Sequence, residues 1–182
     1  EAVLLELTPL LVCRDYHHLF HEDKQWTFET RHLAERLIEI TPAKNSAPIF
    51  FRFTAGIFYP EPHWYKNFEY AHEKERGLDF TEDAKSVGKV SCMLAPGESA
   101  AMIFSTSLED TEGDPIAWRE DEEHRLTGLT NKKKSSFLKD LAISGDQFLV
   151  KRKSSDSFTL IAGYHWFTDW GRDTMIAMRG LI

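Results

Sequence analysis

Short apolar runs separated by turn-forming residues make up the first 107 residues of the chain. The runs occupy residues 3–7, 10–13, 25–30, 36–40, 49–53, 57–59, 87–93 and 100–105. Within residues 25–30, Trp26 and Phe28 lie on one face, which is the two-residue period of a β-strand. Turn signals every ~8–12 residues favour a sandwich of short strands over parallel β/α units. We therefore expect a mainly β fold, with an antiparallel β-sandwich over residues 1–107.

Two turn signals suggest how some of these strands are connected. Thr8-Pro9 separates residues 3–7 from residues 10–13, which predicts one strand interrupted by a bulge or an edge position. Pro96-Gly97 lies between residues 87–93 and 100–105, so we expect those two runs to be paired strands joined by a turn.

Beyond residue 107 the pattern becomes helical. An acidic connector over residues 108–114 precedes Pro115, a residue favoured in the first turn of a helix, and residues 116–126 fit a charged, exposed helix. Residues 136–151 give the clearest helical signal. Their apolar positions form a single stripe, which consists of Phe137, Leu138, Leu141, Ala142, Gly145, Phe148 and Leu149. Such a stripe requires a second layer to pack on.

Two further segments connect these elements to the end of the chain. The lysines of residues 132–134 have no interleaved aromatic residue, so a solvated linker is favoured over an anion site. Residues 158–162 are expected to be extended and to lead into the last segment.

The last segment, residues 163–174, concentrates residues that suit a sugar. Trp166, Trp170, Arg172 and Asp173 lie within eight positions of one another. Indole faces pack on the C–H face of a pyranose, and a guanidinium beside a carboxylate offers directed, charged partners to its hydroxyls. Gly171 lets the backbone approach a ligand closely. We therefore predict that these four side chains bind substrate, at a turn that leads into a helix beginning near Asp173.

Other interpretations of these residues remain open at the level of sequence. Arg172 and Asp173 would also suit a structural ion pair that caps the helix, and Trp166 would suit core packing as well as sugar contact. Asp169 and Asp173 resemble the two carboxyls of an inverting glycosidase, but nothing in the sequence shows that they face each other.

Composition excludes several classes of function. With 22 basic and 29 acidic residues the net charge is −7, which argues against a nucleic-acid partner and suits a neutral ligand such as glucan. No apolar run approaches the ~20 residues that a membrane span needs. Cys13 and Cys92 allow one disulfide, although two thiols in a chain of this size favour a reducing, cytoplasmic setting.

A metal site is the weakest of the hypotheses. A cupin-like metal enzyme would draw its ligands from the following histidines: His17, His18, His21, His63 and His72. A defined site needs three or four ligands at suitable spacing. The sequence offers no such set, so we expect neither a metal nor a cofactor.

The closing residues also resemble a known family. Residues 164–177 (Tyr-His-Trp-Phe-Thr-Asp-Trp-Gly-Arg-Asp-Thr-Met-Ile-Ala) closely resemble the opening of the catalytic barrel in bacterial and archaeal glycogen debranching enzymes of the amylo-α-1,6-glucosidase type. Residues 11–19, 64–70 and 75–79 resemble the N-terminal domain of the same family. Together these segments span most of the chain.

The resemblance implies a domain layout. In the family a β-sandwich of the glucoamylase N-terminal (supersandwich) type precedes an (α/α)6 barrel. Applied to this chain, residues 1–107 form the sandwich, residues 108–133 a helical linker and residues 134–182 the first helices of a truncated barrel. The absence of an initial Met and the unpartnered helix at the end also led us to expect a fragment, whose partners are glycogen or another α-glucan and the remaining barrel.

The resemblance also assigns roles. The barrel's general acid and base would lie beyond Ile182, so no residue of this chain is predicted to be catalytic. Arg172 and Asp173 would bind the hydroxyls of the non-reducing-end glucose, and Trp166 and Trp170 would line the same subsite. The alternative function is a non-catalytic module whose sandwich binds carbohydrate itself. Residues 64–83 fit either a loop over the barrel's active site or a hairpin with a solvated, charged tip.

Overall fold

The computed structural model describes residues 1–15, 18–152, 154–164 and 167–181. The chain forms two compact units, residues 1–116 and residues 117–182. The strands of the first unit are β1 (Val3–Leu7), β2 (Glu29–Ala34), β3 (Leu37–Thr41), β4 (Ile49–Phe53), β5 (Ile57–Tyr59), β6 (His63–Glu69), β7 (Thr81–Ser86), β8 (Lys89–Leu94) and β9 (Met102–Ser105). A short helix, α1 (Ala71–Glu75), lies between β6 and β7, and a 3₁₀ turn at Glu109–Thr111 follows β9.

The strands of the first unit form three antiparallel sheets. Their orders are β1-β8-β5, β2-β3-β4-β9 and β6-β7. Every strand pair recorded for the described residues is antiparallel, which confirms the expectation of a mainly antiparallel β fold. The sandwich's relation to the supersandwich type stays a prediction.

The hydrophobic core lies between the three-stranded and the four-stranded sheet. Because side chains alternate along a strand, β3 buries Ile38 and Ile40 and β4 buries Phe51 and Phe53 on one face. The ring of Phe51 lies 6.3 Å from that of Phe58 in β5, which belongs to the opposite sheet. The buried core as a whole consists of Phe20, Phe28, Ile38, Ile40, Phe51, Phe53, Phe58, Val87 and Val90.

The predicted pairing of residues 87–93 with residues 100–105 is wrong. The turn itself forms, because Glu98 N–H donates to the carbonyl of Ala95 at 3.0 Å. However, β8 pairs with β1 and β5, whereas β9 pairs with β4 in the other sheet. The seven-residue connection between β8 and β9 therefore crosses from one layer of the sandwich to the other.

Two strands near the N-terminus also differ from expectation. Residues 10–13 do not continue β1, because Leu11 exchanges backbone hydrogen bonds of 2.8 and 2.9 Å with Lys85 of β7. The strand expected at 25–30 begins only at Glu29. Phe28 has a positive φ of 48° and its N–H donates to the carbonyl of Pro42, so the chain turns there and places the Phe28 ring in the core.

The second unit contains helices and one hairpin. Its elements are α2 (Pro115–Thr130, which begins in the first unit), α3 (Ser136–Asp146), β10 (Leu149–Arg152), β11 (Ser157–Leu160) and α4 (Gly171–Leu181). Pro115 is the first residue of α2, as expected. Among the described residues no helix is long and apolar enough to cross a bilayer.

Helix α3 is shorter than the apolar stripe predicted. It begins at Ser136, and the hydroxyl of the preceding Ser135 caps the helix by accepting from Leu138 N–H. It ends at Asp146, and Leu149 enters a strand that pairs with Leu160. The inclusion of residues 147–151 in a helix is therefore wrong, because cross-strand pairing there satisfies the backbone instead. The assignment of α3 and α4 to a barrel stays a prediction.

Candidate functional site

The closing motif follows the β10–β11 hairpin and is folded against its end. Ile161 N–H donates to the carbonyl of Phe148 at 2.9 Å, and Ala162 N–H donates to that of Thr168 at 3.0 Å. Ile161 and Asp169 form an isolated antiparallel bridge. The two ends of the loop between β11 and α4 are therefore held side by side, at Ile161–Ala162 and Thr168–Asp169.

Aromatic side chains border this loop. The hydroxyl of Tyr164 donates to the carbonyl of Gln147 at 2.8 Å, and the ring of Tyr164 lies 5.5 Å from that of Phe148. A Cβ added to Gly163 would meet the Phe167 ring at 3.3 Å, so a small residue at 163 lets the ring approach the backbone. Tyr164 and Phe167 remain about half exposed.

Asp169 is fixed by the hairpin. Its carboxylate forms an ion pair with Arg152 of β10 and accepts a hydrogen bond of 3.1 Å from the hydroxyl of Thr159 of β11. The side chain of Asp169 is 22% exposed. Asp169 is therefore engaged as a hydrogen-bond acceptor and an ion-pair partner within its own unit.

Helix α4 begins immediately after Trp170. The carbonyl of Trp170 accepts hydrogen bonds from the backbone N–H of Thr174 at 2.9 Å and from its hydroxyl at 3.0 Å. Arg172 and Asp173 therefore occupy the first turn, where the positive end of the helix dipole favours a carboxylate. The helix starts two residues earlier than the position predicted from Asp173.

The predicted sugar-binding side chains lie on the surface of this turn. Arg172 is 79% exposed and Asp173 is 41% exposed, and the distance from Arg172 Nε to Asp173 Oδ2 is 3.8 Å. At that distance the two groups form an ion pair without a hydrogen bond. The indole of Trp170 is 53% exposed. Trp166 lies outside the described residues.

The two aspartates of the motif have different environments. Asp169 binds the hairpin residues Arg152 and Thr159, whereas the described contact of Asp173 is Arg172 on its own helix. A Cβ added to Gly171, which lies between the two aspartates, would meet no described atom within 4 Å.

A second polar cluster, which the sequence analysis did not single out, lies in the first unit on β7. Glu82 is 2% exposed. It accepts hydrogen bonds from Arg14 (Nη2 to Oε2, 3.2 Å), the hydroxyl of Tyr70 and the backbone N–H of Phe20 (2.9 Å). Burial by itself would raise the pKa of Glu82, but these hydrogen bonds outweigh it and hold the pKa below its usual value.

Asp83 plays a similar part on the other face of β7. It accepts hydrogen bonds of 3.0 Å from the backbone N–H groups of Glu22 and Asn67, and His21 Nδ1 lies 3.8 Å away. Burial raises the pKa of Asp83, yet the two backbone donors bring it below its usual value. Glu82 and Asp83 thus tie the segment before β2 to the β6–β7 hairpin, and their partners come from residues 14–22 and 67–70.

The structure also bears on the hairpin, metal and disulfide hypotheses drawn from the sequence. Residues 64–83 form a hairpin whose tip carries α1 and exposed ion pairs such as Lys74 with Glu69. Among the described residues no group of three or more His, Cys, Asp or Glu side chains could hold a metal, and His17 lies outside them. Cys13 and Cys92 are free thiols, and burial raises the pKa of Cys13.

Two protein-family models match the chain, one in each of the two units. A family model described as glycogen debranching enzyme N terminal matches residues 1–101. A model described as amylo-alpha-1,6-glucosidase matches residues 143–182, which include the hairpin and the whole closing motif. No curated protein and no solved structure matches the chain significantly. Because the first model alone covers more than half of the 182 residues, the chain belongs to the glycogen debranching enzyme family.

Proposed function

We propose that this chain contributes to an enzyme that hydrolyses the α-1,6-glucosidic branch points of glycogen. Its part in that reaction is to supply the scaffold and some of the site for the non-reducing-end glucose. Arg172, Asp173, Trp170 and Trp166 are the residues assigned to that site. No general acid or base is assigned to any residue of the chain, and no cofactor or metal is required.

One observation carries this proposal. Trp170 lies immediately before α4 and Arg172 and Asp173 lie in its first turn, and all three side chains are exposed within the stretch that matches the amylo-alpha-1,6-glucosidase model. Apart from its 3.8 Å ion pair with Asp173, no described group engages the guanidinium of Arg172, so its N–H donors remain free to bind a ligand. Charged donors that have no hydrogen-bond partner among the described residues are suited to binding hydroxyl groups.

The chemistry of glucose fits this arrangement. Adjacent hydroxyls of a pyranose can accept from the two arms of a guanidinium and donate to a carboxylate at the same time. The indole of Trp170 offers a flat apolar surface for the C–H face of the ring. The net charge of −7 does not repel this neutral ligand.

Asp169 is not assigned to acid–base chemistry. An inverting glycosidase needs one protonated and one ionised carboxyl about 6.5–9.5 Å apart, on opposite sides of the anomeric carbon. A general acid or base must reach the substrate, and a carboxylate that is already bound to neighbouring side chains does not suit that role. Asp169 has such a partner in Arg152. Its role is therefore structural.

The proposal assigns a different role to each of three segments of the chain. Residues 1–107 form the sandwich that supports the catalytic part, residues 108–133 are a helical linker, and residues 134–182 are the first part of the barrel. Under this proposal the α-glucan contacts the barrel, and residues 1–107 alone do not bind it tightly. Tight binding of maltooligosaccharides by residues 1–107 in calorimetry would instead favour a carbohydrate-binding module.

Kinetics of substituted enzyme test the proposal. In the complete debranching enzyme that carries these residues, Arg172→Ala and Asp173→Ala should each lower kcat/KM on a branched limit dextrin by about 10–100-fold, the worth of a charged hydrogen bond. Arg179→Ala, in the last turn of the same helix, is the control and should change it less than about twofold. Unchanged turnover in both site variants would refute the proposal.

A further inference from the structure

Two side chains on one face of the β10–β11 hairpin converge on Asp169. In the register of the hairpin, Val150 lies opposite Thr159 and Arg152 lies opposite Ser157. Since alternate residues share a face and opposed residues share it too, Arg152 and Thr159 project from the same face. Both contact the Asp169 carboxylate, Arg152 through an ion pair and Thr159 through its hydroxyl at 3.1 Å.

The connection from Asp169 to the first turn of α4 is short and hydrogen-bonded. Asp169 also pairs through its backbone with Ile161. Trp170, the next residue, accepts two hydrogen bonds from Thr174, which fixes the start of the helix. Only Trp170 and Gly171 separate Asp169 from Arg172, so a displacement of Asp169 shifts the backbone from which the side chain of Arg172 extends.

We propose that Arg152 and Thr159 are positioning residues, which act through Asp169 to set the location of Arg172 and Asp173 against the glucose. This inference rests on the proposed function. Neither Arg152 nor Thr159 touches the sugar. Their effect arises because binding groups must be held to within a fraction of an ångström, and a small misplacement lowers rate or affinity by an order of magnitude or more.

The same unit contains a closely matched ion pair that does not lead to the motif. Arg125 of α2 donates to Asp146 at the end of α3, at 3.0 and 2.5 Å. Arg125 and Asp146 are 50% and 19% exposed, compared with 47% and 22% for Arg152 and Asp169. Arg125 also pairs with Glu122 at 2.7 Å, so the general loss of stability in Arg125→Met should be at least as large as in Arg152→Met. An effect on glucose binding should nevertheless be specific to Arg152.

The test measures the inhibition constant of 1-deoxynojirimycin, a glucose analogue, for variants of the complete enzyme. Arg152→Met should raise this constant about tenfold, and Arg125→Met should leave it unchanged. Arg152→Lys keeps the charge and should recover part of the affinity. Thr159→Val removes only the hydroxyl from a strand position that suits valine, and it should raise the constant about threefold even if Arg152→Met fails to fold.

A triple variant separates positioning from a general structural effect. If Arg152 acts through Arg172 and Asp173, then Arg152→Met added to Arg172→Ala and Asp173→Ala should bind the inhibitor no more weakly than the variant with the two alanines alone. A further multiplied loss in the triple variant would overturn the inference, since it would show that Arg152 acts independently of these two binding groups.

The outcomes distinguish this inference from the proposed function. An inhibition constant that rises in Arg172→Ala but stays at the unsubstituted value in Arg152→Met and Thr159→Val would overturn the inference and leave the proposed function standing. An unchanged constant in Arg172→Ala would remove the proposed function, and the inference with it.

Discussion

Arg14 and Glu82 are 68 positions apart and form an ion pair whose carboxylate is almost completely buried. The pair joins the segment before β2 to β7, and the hydroxyl of Tyr70 and the N–H of Phe20 complete the coordination of the carboxylate. A buried carboxylate of this kind is costly unless each partner is present. This cluster therefore fixes the segment before β2 against β7 and the end of β6.

Replacing Glu82 by glutamine should destabilise the sandwich. Glu82→Gln removes the charge that Arg14 requires, and the free energy of unfolding in urea should fall by about 2–3 kcal/mol. The exposed pair between Arg31 and Glu39 on β2 and β3 supplies the control. Glu39→Gln should cost less than about 1 kcal/mol, and equal losses in the two variants would contradict the role given to the buried pair.

The same carboxylates predict how stability depends on pH. The pKa values of Glu82 and Asp83 are lower in the folded protein than their usual values. Their contribution is therefore fully present above the unfolded pKa values near 4 and is lost as pH falls through the folded ones. Thermal melting temperatures should decrease steadily below about pH 5. Glu82→Gln should show a shallower decrease, and parallel curves would exclude Glu82 as a source of it.

A core substitution tests the placement of the two sheets. Phe51 is completely buried and its ring faces Phe58 across the core, so Phe51→Ala should lower the free energy of unfolding by about 3–5 kcal/mol. Ile57, on the outer face of β5, is 62% exposed. Ile57→Ala should cost less than about 1 kcal/mol. Similar costs at both positions would show that the core does not lie between these sheets.

Alanine substitutions at two glycines with positive φ distinguish the cost of a steric clash from the cost of backbone strain. Gly56 has φ 92° and Gly77 has φ 72°, so an alanine is strained at either position. Only at Gly56 would the added Cβ lie 2.5 Å from the carbonyl oxygen of Ser91, whereas at Gly77 nothing lies within 4 Å. Gly77→Ala should cost about 1 kcal/mol in the free energy of unfolding. Gly56→Ala should cost about 1–3 kcal/mol more, because the backbone of β8 must move.

The strands that the sequence predicts well are those with one unambiguous local signal. Residues 49–53 are apolar and end at a turn, and β4 has those bounds. A turn signal says nothing about which sheet its flanking strands join, so Pro96-Gly97 could not reveal that β8 and β9 belong to different layers. The end of α3 was missed because Phe148 and Leu149 continue its apolar period, although their backbone pairs in a hairpin.

The ion pairs between residues far apart in the chain could not be predicted from local sequence patterns. Arg152 and Asp169 are 17 positions apart, and Arg14 and Glu82 are 68 positions apart. Acidic residues such as Glu82 and Asp83 are usually found on a solvated surface. Only the fold shows that these two are buried. By contrast, Trp170, Arg172 and Asp173 lie within four consecutive positions, so the sequence alone was enough to predict a shared site for them.

A crystal structure of the complete enzyme with glucose bound would test the central claim most directly. We expect hydroxyl oxygens of the sugar within about 3.2 Å of the Arg172 guanidinium nitrogens and the Asp173 carboxylate oxygens, with the ring lying on the indole of Trp170. An Arg172 and Asp173 that contact only each other, with the glucose held by other residues, would contradict the claim and leave this turn as a helix cap.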